Sequence, residues 1–156
     1  MQGEDEEDTG LLTEMATWAR NYVTWFDWCL PIRGMYFAYG IGGIVAIFLF
    51  EFEGKIGGTD DKLWVVVGDL PPAYMIVEPN DSAKEALETY CQLMQGWIAT
   101  VRNGGNFDKV YPVSAPRTAE NAEGLKSRLA ILREDIIPEA PADLVNVSDG
   151  GGTDGS

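Results

Sequence analysis

The chain has 156 residues, 46% of them hydrophobic and 17 of them aromatic, which is enough for the core of one domain. A net charge of −14 with no basic stripe argues against a direct hold on nucleic-acid phosphates. Histidine is absent, which removes the commonest general base and the commonest metal ligand together.

The charge is uneven. Residues 1–10 carry five acids and residues 139–156 carry four, with no base in either segment. Between them 16 acids face 11 bases, so the middle is only mildly acidic. This pattern predicts a disordered acidic tail over 1–10, one domain over 11–138, and a flexible Gly/Asp-rich tail over 139–156. The acidic start lacks the basic, then apolar, pattern of a secretory signal. Cys29 and Cys91 stand sixty-two residues apart, and two isolated thiols make neither a zinc site nor a redox pair. Packed free thiols in a reducing cytoplasm are the expectation.

In chain order, residues 11–28 predict a helix. Leu11, Leu12, Met15, Trp18, Ala19, Tyr22, Val23 and Phe26 recur at three- and four-residue steps, and Pro31 limits the far end. Tyr22, Trp25, Phe26 and Trp28 crowd its exit, which reads as core or interface. A short strand over Met35–Tyr39 and a turn at Gly40, Gly42 and Gly43 follow. Ile44–Glu53 predicts a long strand, with Phe50 and Phe52 inward and Glu51 and Glu53 outward. Residues 54–62, with Gly57-Gly58 and Asp60-Asp61, suit a hairpin loop. Leu63–Gly68 is apolar throughout, as in a strand covered on both sides, and Ala73–Val77 resumes after Pro71-Pro72. Such short connections leave no room for crossover helices, so the pairing should be antiparallel.

Ser82-Ala83-Lys84-Glu85 is a capping box and opens a helix striped by Leu87, Tyr90, Met94, Trp97 and Val101. Gly104-Gly105 ends it, and Gly96 inside it suggests close packing of another element. Residues 106–117 read as a linker. A third helix starts on Thr118, buries Ala122, Leu125, Leu129, Leu132 and Ile136, and stops at Pro138. The fold class is therefore α+β: an N-terminal helix, an antiparallel sheet of three to four strands, and two C-terminal helices packed on one face. One sheet face plus helix–helix contact is expected to cover all three helical stripes.

Chemical signatures fail one after another. Gly40-Ile41-Gly42-Gly43 lacks the glycine that a dinucleotide loop needs at Val45, and an apolar strand follows where a helix should open. Neither Asp60-Asp61 nor residues 149–154 keep the spacing of a calcium loop. No serine or cysteine has a histidine base to activate it. No metal and no cofactor is expected. Three binding candidates remain: Asp69 at the lip of a buried strand, Tyr74 across the prolines, and Trp64 nearby. Asp69 also has a purely structural reading, as a turn carboxylate accepting backbone N–H groups. Arg33, alone before a glycine-rich apolar stretch, is expected to pair with an acid.

The run Trp64-Val65-Val66-Val67-Gly68-Asp69-Leu70-Pro71-Pro72-Ala73-Tyr74, with the helix over 82–104, resembles small bacterial proteins classed as domains of unknown function. The resemblance spans about residues 43–138. It implies a bacterial cytoplasmic protein and transfers no functional residue. Three functions stay open: a non-enzymatic module that binds a protein partner through an aromatic patch or sheet edge; a small-molecule binder or unusual enzyme with a pocket near Asp69 and Tyr74; and attachment to a membrane through residues 34–50. That last run is short, glycine-rich and continues into period-two alternation, which disfavours a span.

Overall fold

The structure, a computed structural model, describes residues 6–26, 29–56, 60–77, 81–111, 113 and 116–141. The expectations for Trp28, Gly57-Gly58, residues 1–5 and residues 142–156 fall outside them.

Helix α1 (Glu6–Thr24) begins five residues before the predicted start at Leu11, so residues 6–10 belong to a helix and not to a tail. Strands β1 (Ile32–Ile41), β2 (Val45–Ile56), β3 (Asp60–Gly68) and β4 (Ala73–Ile76) form one antiparallel sheet in the order β1-β2-β3-β4. Strands β2 and β3 extend into the predicted 54–62 loop. Helices α2 (Ala83–Asn103) and α3 (Ala119–Ile131) follow, and a single 3₁₀ turn at Phe107–Lys109 interrupts the segment between them. Past Ile131 the chain widens into a π turn at Leu132–Ile136, then tightens into a 3₁₀ turn containing Pro138. A proline at that position fits the first turn of a new helix, where no N–H is required.

The α+β class and the two C-terminal helices on one face agree with the sequence. The expectation that one sheet face serves all three helices does not hold. Leu12, Met15, Ala19 and Val23 of α1 pack on Ala46, Phe48, Phe50, Phe52, Val65 and Val67. On the opposite face Val45, Ile47, Trp64 and Val66 pack under Leu87, Tyr90, Met94 and Trp97 of α2 and Leu125 and Leu129 of α3. The sheet is the middle of three layers. This is why β3 is apolar at every position from Leu63 to Val67, since neither parity reaches water.

Glu51 does point to the face opposite Phe50 and Phe52, but it does not meet water there. Its side chain is only 8% exposed. The directly facing residue on β3 is Lys62, 6% exposed, with Nζ 3.6 Å from Glu51 Oε2 and 3.1 Å from Asp61 Oδ1. Arg33 closes the cluster with Nη2 2.8 Å from Asp61 Oδ2 and Nε 3.8 Å from Glu51 Oε1. The Tyr36 hydroxyl donates to Glu51 Oε1 at 3.3 Å. Arg33 does find its acid, and finds two.

The caps behave nearly as written. Ser82 Oγ accepts from the Glu85 N–H at 3.2 Å, and Thr118 Oγ1 from the Asn121 N–H at 3.2 Å. The return bond of the box comes from Asp81, whose Oδ1 accepts the Ser82 N–H at 3.0 Å, and not from Glu85. Gly104 ends α2 at φ +72°, with its N–H on the Thr100 carbonyl. A Cβ at Gly96 would meet Val110 at an ordinary 3.8 Å, so close packing does not account for that glycine.

Gly68 is different. The Asp69 N–H donates to the Ile44 carbonyl at 2.9 Å, and the chain passes so close that a Cβ on Gly68 would overlap that carbonyl oxygen. Its φ is +151°. Gly68→Ala is expected to cost about 2 kcal/mol, since both backbone strain and a backbone clash must be relieved. Urea denaturation would read this as a lower midpoint with an unchanged slope; a midpoint equal to the parent's would refute it.

Candidate binding site

Of the three sequence candidates, Asp69 stands apart, while Trp64 and Tyr74 share the wall of one cavity of about 410 Å³ with Tyr111. Trp64 is buried, and its Nε1–H donates to Asp81 Oδ2 at 2.9 Å. It anchors the entry to α2 and, although buried, forms part of the wall of that cavity. Asp69 is exposed and paired with Arg128 of α3, Nε to Oδ2 3.4 Å. The hollow beside it measures about 170 Å³. An ion pair this exposed contributes roughly 0–1 kcal/mol. Tyr74 also lines a second, more aromatic cavity of about 490 Å³.

That cavity follows from the width of the apolar face of α1. The residues at three- and four-step spacing cover more of the helix than one sheet face can take. Leu12, Met15, Ala19 and Val23 are consumed by the sheet, while Trp18, Tyr22 and Trp25, at steps of four and three, run along the flank. Trp18 is 45% and Trp25 79% exposed. Exposed large apolar groups clustered this way mark a contact surface, whereas single ones do not.

The wall opposite comes from the Pro71-Pro72 turn, Tyr74 of β4, and Tyr111 from the connection before α3. Their rings are fixed against one another. Tyr22 and Phe26 meet edge-on at 5.2 Å, Phe26 and Tyr74 at 5.2 Å, Trp25 and Phe26 at 5.3 Å, and Tyr74 and Tyr111 at 6.1 Å. Edge-to-face packing of this kind adds about 0.5–1.5 kcal/mol per pair beyond burial. The Tyr111 hydroxyl accepts the Tyr74 backbone N–H at 2.9 Å, which ties the α2–α3 connection to the edge of the sheet. One layer down, the Tyr90 hydroxyl donates to the Pro71 carbonyl at 2.5 Å and holds the proline turn. Burial pushes the phenols of Tyr22, Tyr90 and Tyr111 up from their ordinary value. They are neutral hydrogen-bonding groups at physiological pH.

The cavity lining contains Asn21 and no charged side chain. It has no nucleophile–base pair, and among the described residues no three Cys, Asp or Glu side chains converge as a metal site. Rings, a proline and a few neutral donors are equipped to hold an apolar or aromatic group, not to make or break bonds. Cys91 is buried on the inner face of α2 and Cys29 is half-buried, and both are free thiols. Residues 34–50 lie in β1, the turn and the start of β2, and among the described residues no helix is long and apolar enough to cross a membrane.

Sequence reasoning found Tyr74 and the aromatic crowd at the helix exit. It missed Tyr111 and Trp18 as members of one site. The signal for Trp18 was present, since a tryptophan at the margin of an over-wide helical stripe has nowhere to be buried. No family model, curated protein or solved structure matches the chain.

Proposed function

We propose that this chain is a protein-interaction module, and that its contact surface is the aromatic cavity at the exit of α1. The observation that carries this reading is the pairing of two largely exposed tryptophans with a pre-packed wall of Phe26, Tyr74 and Tyr111. Aromatic anchors beside a rigid hollow are the usual composition of a binding hot spot, and fixed rings lose little entropy when a partner arrives. Two unpaired thiols support a reducing, cytoplasmic setting. A volume near 490 Å³ would also admit a small apolar ligand, which is the second reading.

The test compares pull-downs from the native host using the parent chain, Trp25→Ala, and Ile131→Ala as an exposed apolar control. A stoichiometric protein retained by the parent and control, and weakened by at least about 30-fold in Trp25→Ala, is expected. Trp25 is 79% exposed, so the substitution should cost no more than its edge contact with Phe26, about 0.5–1.5 kcal/mol. Capture indifferent to Trp25 would sink the reading. Loss of a bound metabolite instead of a protein would turn it to the small-ligand alternative.

A further inference from the structure

On the helical layer, across the sheet from α1, lies a second concavity of about 580 Å³ between α2 and α3. The two helices are antiparallel. The Lys84 N–H meets the Pro141 carbonyl at the start of α2, and the Arg133 Nη2 donates to Gln95 Oε1 further along. The floor of the groove is apolar, with Ile98 on α2 and Leu129 and Ala130 on α3. Its rim carries Arg102, Lys126 and Arg133, against the one acid Glu134.

A rim of three cations against one acid stands out in a chain of net charge −14. Acids outnumber bases 25 to 11 in the chain as a whole. Arg33, Lys62 and Arg128 all take one. Among the described residues, Arg102, Lys126 and Arg133 form no ion pair, as is also true of Arg20, Lys84 and Arg117; what distinguishes the three is that they share one groove. Screening limits the reach of distant charges to about 8 Å at physiological salt, so the field in the groove is set by its own rim and is positive.

The shape narrows the occupant. From Gln95 to Asn103 the groove runs about 12 Å along α2, two helical turns. Lys126 on α3 and Arg133 in the π turn that continues it are seven residues apart, so positive charge stands about 10 Å apart along the same edge. A trough between two antiparallel helices accepts a third by ridge-into-groove packing. We infer that the α2–α3 groove docks an acidic amphipathic helix of a partner protein, with two carboxylates seven residues apart on the basic rim and apolar side chains between them on Ile98 and Leu129. Recognition of this kind is helix-in-groove binding read through anchors three, four and seven residues apart. It is independent of the aromatic cavity, and the two together would make the chain a bridge between partners.

Two synthetic helical peptides test this on the full chain by fluorescence anisotropy. One has glutamates seven residues apart with leucines between them; the other has lysines in place of the glutamates. The acidic peptide should bind at least about ten-fold more tightly, and should weaken by about ten-fold between low and high salt. Arg102→Glu with Arg133→Glu should reverse the preference. Both positions are exposed, so circular dichroism should show an intact fold. Equal binding of the two peptides, no binding of either, or a preference unmoved by the charge reversal would each overturn the inference. So would acidic-peptide binding that appears only after residues 142–156 are deleted, because the chain's own acidic segment would then be the occupant.

Discussion

Replacing Lys62 with methionine is expected to destabilise the fold by about 3 kcal/mol, at the low end of the cost of breaking a buried ion pair. The loss is not the loss of an attraction. Glu51 and Lys62 are 8% and 6% exposed, so each has surrendered most of its water. Removing the ammonium strands a buried carboxylate. The cost stays near 3 kcal/mol because two other groups remain beside Glu51, the Tyr36 hydroxyl at 3.3 Å and Arg33 Nε at 3.8 Å. The companion result separates this account from simple packing. Glu51→Leu combined with Lys62→Met removes both charges and keeps the volume filled. The double variant should return to within about 1 kcal/mol of the parent, or exceed it. A double-mutant cycle by urea denaturation reads both numbers. If the single and double variants are equally unstable, methylene packing of Lys62 and not charge desolvation is the cause.

That pair also marks where local pattern stops being informative. The alternation Phe50-Glu51-Phe52-Glu53 identifies a strand and its parity correctly. It cannot say that Glu51 meets Arg33, Tyr36 and Lys62 instead of water, because those neighbours come from the two paired strands. The caps at Ser82 and Thr118 were legible because each is settled within four residues. The Gly68 turn was legible for a similar reason, with glycine and prolines punctuating an apolar strand. The boundaries of α1 were not. An acidic helix start satisfies the positive end of the helix dipole, yet acidic composition alone reads as a tail. Asp69 and Tyr74 seemed one site because five residues separate them. The double proline between them sends Asp69 to α3 and Tyr74 to the α1 flank. Tyr111 reaches that flank from thirty-seven residues downstream of Tyr74, a distance no motif spans.

The second large effect is alkaline unfolding. The chain has no histidine, and burial pushes both thiols up from their ordinary value, so neither the usual neutral-pH switch nor the thiols change charge near neutrality. Stability should be flat there. Tyr90 changes this at higher pH. Its ring is fully buried in the layer between sheet and α2, its hydroxyl donates to the Pro71 carbonyl, and burial raises its pKa above the ordinary value of 10.0. Above pH 10 the unfolded chain releases the phenolic proton and the folded chain retains it. The folded state then binds one proton more, so its stability is complete below pH 10 and falls as pH rises, by about 1.4 kcal/mol per pH unit from Tyr90 alone. Tyr22 and Tyr111 shift in the same direction and steepen the decline, though both are partly solvated and contribute less. Urea midpoints measured from pH 6 to 11 should show a plateau and then a fall. Tyr90→Phe should start lower, having lost the bond that holds Pro71, but should decline less steeply above pH 10. A Tyr90→Phe curve parallel to the parent's through pH 11 would show that this phenol ionises as readily folded as unfolded, and that the proline turn is not sealed from water.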